Sequence, residues 1–320
     1  MSMNSVPGKL PKLRYALSAF LAVTAVYVGV LFWLDAKRGV FVGLSWLVAP
    51  IVGAMALAFV SFFVRYLRWR FLLSLDGYTF PFGRGFLGYL SGFAFTATPG
   101  KIGELYRIHQ YQRFQVPASK TFAAFLFERA CDLVVVLLLS LLCVSGSKWL
   151  GIAMLFVGAI VAAVVLLAVS PAVLSRLIDS IPLPSRLASF AGSLVSGFAS
   201  VRGWLSPLVL GISLIYGAVA WSLTSLAFVV IVRSIGAEMP FFELFGAYPL
   251  AMLVGAASMI PGGVGTTETA LVTLLHGWGV GTSLAVLAAV ASRFSTMWFS
   301  ILIGMISISC LEFGKCDGAV

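Results

Sequence analysis

Six stretches of this chain, about residues 15–34, 44–64, 121–144, 149–169, 206–232 and 282–310, stay predominantly apolar for the ~20 residues that crossing a ~30 Å hydrocarbon layer requires. That pattern leaves few folds open. Lipid offers no hydrogen bonds to the backbone, so each run must satisfy its own amides as a helix. The supply of charge agrees, because only 10% of the 320 residues are charged and 61% are hydrophobic, against about 25% charged in an average soluble domain. A soluble globule is excluded. The expected fold is an all-α polytopic membrane protein, with residues 1–320 forming a single integral membrane domain.

Two further apolar stretches, about 85–116 and 244–277, are interrupted near their middles. The first contains Thr98-Pro99-Gly100-Lys101-Ile102-Gly103-Glu104 and the second Ile260-Pro261-Gly262-Gly263-Val264-Gly265-Thr266-Thr267-Glu268. Proline removes a backbone donor and glycine frees the chain from helical geometry, so neither stretch reads as one through-going helix. Each half is too short to span the bilayer. Two re-entrant helical hairpins are therefore expected beside about six transmembrane helices.

The basic residues orient this plan. The net charge is +10, from 21 Lys and Arg against 11 Asp and Glu. With both termini in the cytoplasm and both hairpins returning to their side of entry, fourteen basic residues fall on cytoplasmic segments. Among them are Lys9, Arg14, Arg65, Arg68, Arg70 and Arg113; only Lys37, Arg38, Lys148 and Arg233 face outward. This is the asymmetry of the positive-inside rule, and it places the chain in a plasma (inner) membrane facing anionic lipid, not nucleic acid. The basic start and long first apolar run predict an uncleaved helix rather than a signal peptide. Between the fourth and fifth spans, Leu187, Phe190, Leu194, Phe198 and Val201 recur at helical spacing. They fit a helix in the cytoplasmic interface or packed on the bundle.

The chain also repeats itself. Gly77 and Pro81 are four apart, as are Gly236 and Pro240. A Pro-Gly break, a Gly and a Glu follow in both copies. Glu104 precedes Arg129 by 25 residues, and Glu268 precedes Arg293 by the same 25. Repeat 1 covers about 44–144, the linker about 170–205 and repeat 2 about 206–310. The copies start three spans apart, an odd number, so they are expected in opposite orientations. Inverted repeats with broken helices are a transporter plan that places substrate at the repeat interface.

Seven ionisable residues lie within or at the mouth of apolar segments: Glu104, Arg107, Glu128, Arg129, Asp132, Glu268 and Arg293. Facing lipid, each would cost about 2.5–3.5 kcal/mol on insertion scales, so they must face one another or a polar cavity. Pairs of Glu104 with Arg129 and Glu268 with Arg293 would lock hairpin to helix. Glu128 and Asp132, one turn apart, share a helix face. After each break a half-helix is expected to begin, at Gly103-Glu104 and at Thr266-Thr267-Glu268, offering free N–H groups to an anion, with Gly263 and Gly265 allowing close approach. Thr266 or Thr267 caps the second half-helix in this reading. Lys101 is present in the first turn only, as a head-group contact or a snorkelling lysine. Cys131, Cys143, Cys310 and Cys316 lack metal-ligand spacing, and His109 and His276 follow their breaks without a matching offset. No metal, no cofactor and no catalytic residue is expected. Trp46, Trp69, Trp149, Trp204, Trp278 and Trp298 read as interface anchors.

The segments Thr98–Arg107, Phe127-Glu128-Arg129-Ala130-Cys131-Asp132 and Pro261–Gly265 with Glu268 resemble the lysylphosphatidylglycerol synthase transmembrane, flippase-like family over nearly the whole chain. In fused members this membrane domain precedes a soluble aminoacyl-transferase domain and is associated with moving aminoacylated phospholipid between leaflets. These 320 residues hold no such soluble domain, so the resemblance implies lipid handling and not lysyl transfer. Two readings follow. One is a flippase that holds an anionic polar or polyprenyl-linked lipid at Lys101, Gly103, Glu104, Arg107, Glu128, Arg129, Asp132, Gly263, Gly265, Glu268 and Arg293. The other is a membrane-embedded lipid-modifying transferase, or a subunit presenting lipid to a separate lipid-synthesising enzyme.

Overall fold

The computed structural model describes residues 44–144, 152, 154–156, 158–159 and 201–313. The spans expected at 15–34 and 149–169 and the interfacial helix at 170–205 lie wholly or largely outside these residues. The elements below belong to the unit Leu47–Val320.

Helix α1, Val48–Leu75, is 28 residues long. It was expected to end at about 64. From Ala54 to Asp76 the chain has neither proline nor glycine, and Tyr66, Trp69, Leu72 and Leu73 recur at helical spacing and are fully buried. Nothing stops the helix until Gly77, which takes φ +84°. Helix α2, Phe82–Ser91, then starts after Pro81. A 3-10 turn at Gly92–Phe95 and a longer 3-10 segment at Pro99–Tyr106 lead into α3, Arg107–Gln112. Helix α4 is Ala118–Ser140.

The second half runs in the same order. Helix α5, Pro207–Ser234, is again 28 residues long, with Pro207 in its first turn and the Ser206 hydroxyl accepting from Val209 N–H. Gly236 takes φ +78°, and α6, Phe241–Ala257, starts after Pro240. Helix start, helix end, glycine and proline are all displaced by 159 residues (207−48, 234−75, 236−77, 240−81). The break is a single turn at Pro261–Gly263, and α7 is Thr266–Gly277. The last apolar run is not one regular helix. Helix α8, Thr282–Arg293, passes through a π-helical turn at Phe294–Trp298 into α9, Phe299–Phe313.

Among the described residues all regular structure is helical, and three helices are long and apolar enough to cross a membrane: Val48–Leu75, Pro207–Ser234 and Thr282–Glu312. Polarity is reversed relative to a soluble protein. Val52, Phe59 and Val60 on α1, Ile215 on α5 and Leu302 on α9 are exposed, while Arg68, Glu104, Arg107, Glu128 and Arg293 are at most 1% exposed. Apolar surface outward and charge inward is what a lipid solvent demands. The chain is an all-α, multi-pass membrane protein.

Helices α1 and α5 pack side by side, and the Ser61 hydroxyl donates 2.8 Å to the Ala220 carbonyl. One apolar core gathers Phe228, Ile231, Leu244, Leu271 and Ala288 from α5 to α8. The other gathers Tyr66, Trp69, Tyr89, Phe93, Tyr111 and Phe127 from the first half. Two expected interface anchors belong to this second core. Trp69 packs on Tyr89 and Tyr111, and Trp204 on Phe127, both at most 1% exposed. Aromatic area buried in a core outweighs the preference of an indole for the interface.

Candidate functional site

Glu128 and Asp132 share a face of α4, and α1 supplies what they face. Arg65 Nη1 lies 2.6 Å from Asp132 Oδ2, and Arg68 Nη2 lies 2.8 Å from Asp132 Oδ1 and 3.0 Å from Glu128 Oε1. The Tyr89 hydroxyl donates 2.6 Å to Glu128 Oε1. From the first break, Arg107 lies 3.1 Å from Glu104 and 3.3 Å from Glu128. Its Nε donates to the Tyr89 carbonyl, and its guanidinium sits 3.8 Å above the Tyr89 ring. Thr96 Oγ1 donates 3.0 Å to Glu104. Charges removed from water need this density of partners, because desolvation otherwise outweighs attraction.

Arg129 is held differently. Its Nη2 is 3.4 Å from Asp132, 3.7 Å from Glu128 and 3.9 Å from Glu104, each longer than every other arginine–carboxylate contact of the cluster, and its side chain is 22% exposed. The expected Glu104–Arg129 pair is thus the loose one, and Arg107 holds Glu104. Arg65, Arg68, Arg107 and Arg129 face Glu104, Glu128 and Asp132. Four cations against three anions leave the cluster at +1.

The second centre is neutral. Arg293 Nε lies 3.1 Å from Glu268 Oε1, as the 25-residue spacing suggested. Its other nitrogens reach the Gly262 carbonyl and the Met252 and Met297 sulfurs.

The half-helix N-termini do not offer themselves to a ligand in the expected way. At the second break, Glu268 Oε2 accepts 2.8 Å from Gly265 N–H. The chain's own carboxylate fills the position an anion would take. Gly265, at φ +84°, is the N-cap, so neither threonine caps α7. Thr266 Oγ1 instead donates to the Gly263 carbonyl. At the first break the 3-10 segment continues directly into α3, so no helix begins at Gly103-Glu104. Gly103 N–H donates 2.7 Å to Thr98 Oγ1, and a Cβ there would fall 2.5 Å from the Phe95 carbonyl oxygen. That glycine serves packing.

A cavity of about 300 Å³ lies between the two breaks. Of the expected site residues, Glu104, Arg129, Asp132, Gly263 and Arg293 line it. Arg107 and Glu128 sit behind that wall, and Gly265 and Glu268 lie off it. The side chain of Lys101 lies outside the described residues. Sequence reasoning missed Arg65, which lines the cavity, and Arg68 behind it, by assigning both to a loop. Hydroxyls of Ser61, Thr96, Thr224, Thr267, Thr296 and Ser300 complete the polar wall, and exposed Ala256, Met259 and Ile260 form an apolar lip. His109 and His276 are exposed and stand apart from it. Among the described residues no group of three His, Cys, Asp or Glu could hold a metal ion.

The family model described as the lysylphosphatidylglycerol synthase TM region matches residues 13–304. The chain belongs to that family. The resemblance read from the Pro-Gly breaks and the Glu128–Asp132 segment is borne out, and it places the chain among membrane proteins concerned with handling or modifying lipids. The chain is 31% identical over 101 residues to a UPF0104 membrane protein of Methanothermobacter thermautotrophicus, covering 32% of this chain and 30% of the relative. It is 32% identical over 99 residues to a phosphatidylglycerol lysyltransferase of Staphylococcus xylosus, covering 31% of this chain and 12% of the relative. The aligned part is thus under a third of either relative's length.

Proposed function

We propose that this protein is a lipid transporter that moves an anionic polar or polyprenyl-linked lipid between leaflets, holding the head group in the cavity between the two breaks. The observation that carries this reading is Arg129. It is a cation on the cavity wall whose carboxylate contacts are the longest of the cluster, in a cluster with one more positive than negative charge. A phosphate entering there would complete the charge balance and gain charge-assisted hydrogen bonds. Exposed apolar residues at the lip, Ala256, Met259 and Ile260, suit tails that stay in lipid. The corresponding succession of elements before the two breaks supports an inverted pair of halves, which would open the cavity to each leaflet in turn.

The test is translocation of a fluorescent phosphatidylglycerol in vesicles containing the purified protein. The wild type should move the lipid faster than protein-free vesicles. Arg129→Gln should slow it by about tenfold, the loss expected for one charge-assisted contact. Equal rates in protein-containing and protein-free vesicles would refute transport. An altered head group on the recovered lipid would favour a transferase instead.

A further inference from the structure

The two breaks touch, and they are held differently. A Cβ at Gly262 would stand 3.4 Å from Ala97 Cα and 3.2 Å from Met297 Sδ, so the second break closes onto the first and onto the π-helical turn. The first break has no slack. Glu104 is held by Arg107 and Thr96, Arg107 by Glu128 and the Tyr89 carbonyl, and none of residues 91–98 and 103–107 is exposed. Moving it would separate buried charges.

The second break is looser. Ala256, Ala257, Met259, Ile260, Pro261 and Gly265 are exposed. Met259, Gly262, Gly263 and Gly265 take positive φ, from +55° to +84°. Met259 is the informative one, because a residue with a side chain rarely adopts that conformation, and such residues gather at clamps and switches. Met259, Ile260, Gly262 and Gly263 also line the cavity. Residues 259–265 thus form a strap with one side on the cavity and the other facing out.

One side chain fastens the strap. Arg293 Nη2 donates to the Gly262 carbonyl, Nε pairs with Glu268 on α7, and the remaining contacts are the Met252 and Met297 sulfurs, which are weak acceptors. Only one of these partners is charged, whereas Arg68 and Arg107 each face two carboxylates. Arg293 lines the cavity and is 1% exposed. It ends α8 just before the π-helical turn, an element frequent at functional sites.

We infer that residues 259–265 are the cavity's door, that Arg293 is its latch and that the first break is the fixed frame. An anionic head group takes the Arg293 N–H bonds now made to the Gly262 carbonyl and the sulfurs, and the strap swings away. A phosphate oxygen is the stronger acceptor, so the head group shifts the population toward the open door. This device rests on the lipid-transport reading for its purpose, but its motion is measured without transport.

Hydrogen–deuterium exchange of the full chain in phosphatidylcholine nanodiscs measures it. Amides of 262–265 should exchange at least about tenfold faster than those of 102–106. Equal or slower exchange would overturn the door. Phosphatidylglycerol in the discs should raise exchange at 262–265 about threefold, and inorganic phosphate should not, because only the lipid has tails to pass apolar Met259 and Ile260. No rise with the lipid, or the same rise with phosphate, would overturn a lipid head group as the key. Arg293→Lys keeps the charge without the planar fork. It should speed exchange at 262–265 about fivefold and leave 102–106 and α4 unchanged; a uniform rise would overturn the latch. With the four native cysteines replaced by alanine, Ala97→Cys with Gly262→Cys sets two Cβ positions 3.5 Å apart, within disulfide range. Oxidation should slow exchange at 263–265 to the rate of 102–106 and stop phosphatidylglycerol translocation, and reduction of the same sample should restore both. Translocation unchanged by the cross-link would overturn the door. Exchange as expected with no translocation by the wild type would refute transport alone.

Discussion

Asp132 Oδ2 on α4 lies 2.6 Å from Arg65 Nη1 on α1, and the two side chains are only 5% and 9% exposed. The contact joins residues 67 apart in sequence. It makes the end of the first long helix part of the cavity wall. Arg68, one turn on, ties the same carboxylate to Glu128.

Removing Asp132's charge should therefore be costly. Asp132→Asn leaves two buried arginines short of a counter-charge, and loss of one partner from a buried pair costs about 3–5 kcal/mol. Denaturant or thermal unfolding of the purified protein in detergent measures this. Arg65→Met with Asp132→Leu should recover part of the loss, because an apolar pair removes both the charge and the desolvation penalty. A double variant no better than Asp132→Asn would argue against a direct Arg65–Asp132 pair.

The pair Arg113–Glu312 is nearly as short, at 2.8 Å, but its side chains are 43% and 38% exposed. Water and salt screen it. Arg113→Gln should change stability by less than about 1 kcal/mol. Measured beside Asp132→Asn, it separates distance from burial as the source of energy. A loss as large as that of Asp132→Asn would mean that Arg113 is enclosed in the membrane-inserted protein.

Much of this was legible in the residues, and the misses have two causes. The 25-residue spacing from Glu268 to Arg293 identified a real ion pair because both charges sit in apolar runs, where only a partner explains them. Arg65 and Arg68 were misread because an arginine just past an apolar run looks like a loop charge under the positive-inside rule. The corrective signal lay beside them: no helix breaker before Gly77, and Tyr66, Trp69, Leu72 and Leu73 continuing the apolar face. The two breaks also looked alike in sequence, since each has Pro-Gly followed by Gly and Glu. Only the three-dimensional chain distinguishes a 3-10 segment that runs into α3 from a turn that starts α7. Their hydrogen-bond patterns depend on Thr98 and Glu268 choosing particular backbone partners, which residue type alone does not fix.

Gly304 on α9 meets the turn before the first break. A Cβ there would stand 2.8 Å from the Phe93 carbonyl carbon and 2.9 Å from Ala94 Cα, both backbone atoms that cannot rotate away. Gly304→Ala should cost about 1–3 kcal/mol as overpacking, despite alanine's better helix propensity. A lowered melting temperature in detergent would show this. Unchanged stability would mean that α9 stands further from the Gly92–Phe95 turn.

The orientation of the two halves has its own test. If the copies are inverted and each break dips in from its own side, residues at the two breaks face opposite compartments. With Cys131, Cys143, Cys310 and Cys316 replaced by alanine, Lys101→Cys and Ile260→Cys supply one thiol each. A membrane-impermeant maleimide should label Lys101→Cys in inside-out vesicles and Ile260→Cys in right-side-out vesicles. The side matters because the positive-inside rule, applied to the basic residues between α1 and α4, Arg84 and Arg113 among them, predicts the first break on the cytoplasmic face. Ile260 is 43% exposed at the cavity lip, so its substitution leaves the ion pairs untouched. Labelling of both thiols from one side would overturn the inverted arrangement and remove the alternating-access argument with it. Opposite-sided labelling, each slowed by added phosphatidylglycerol, would tie the two breaks to a single lipid-binding cavity.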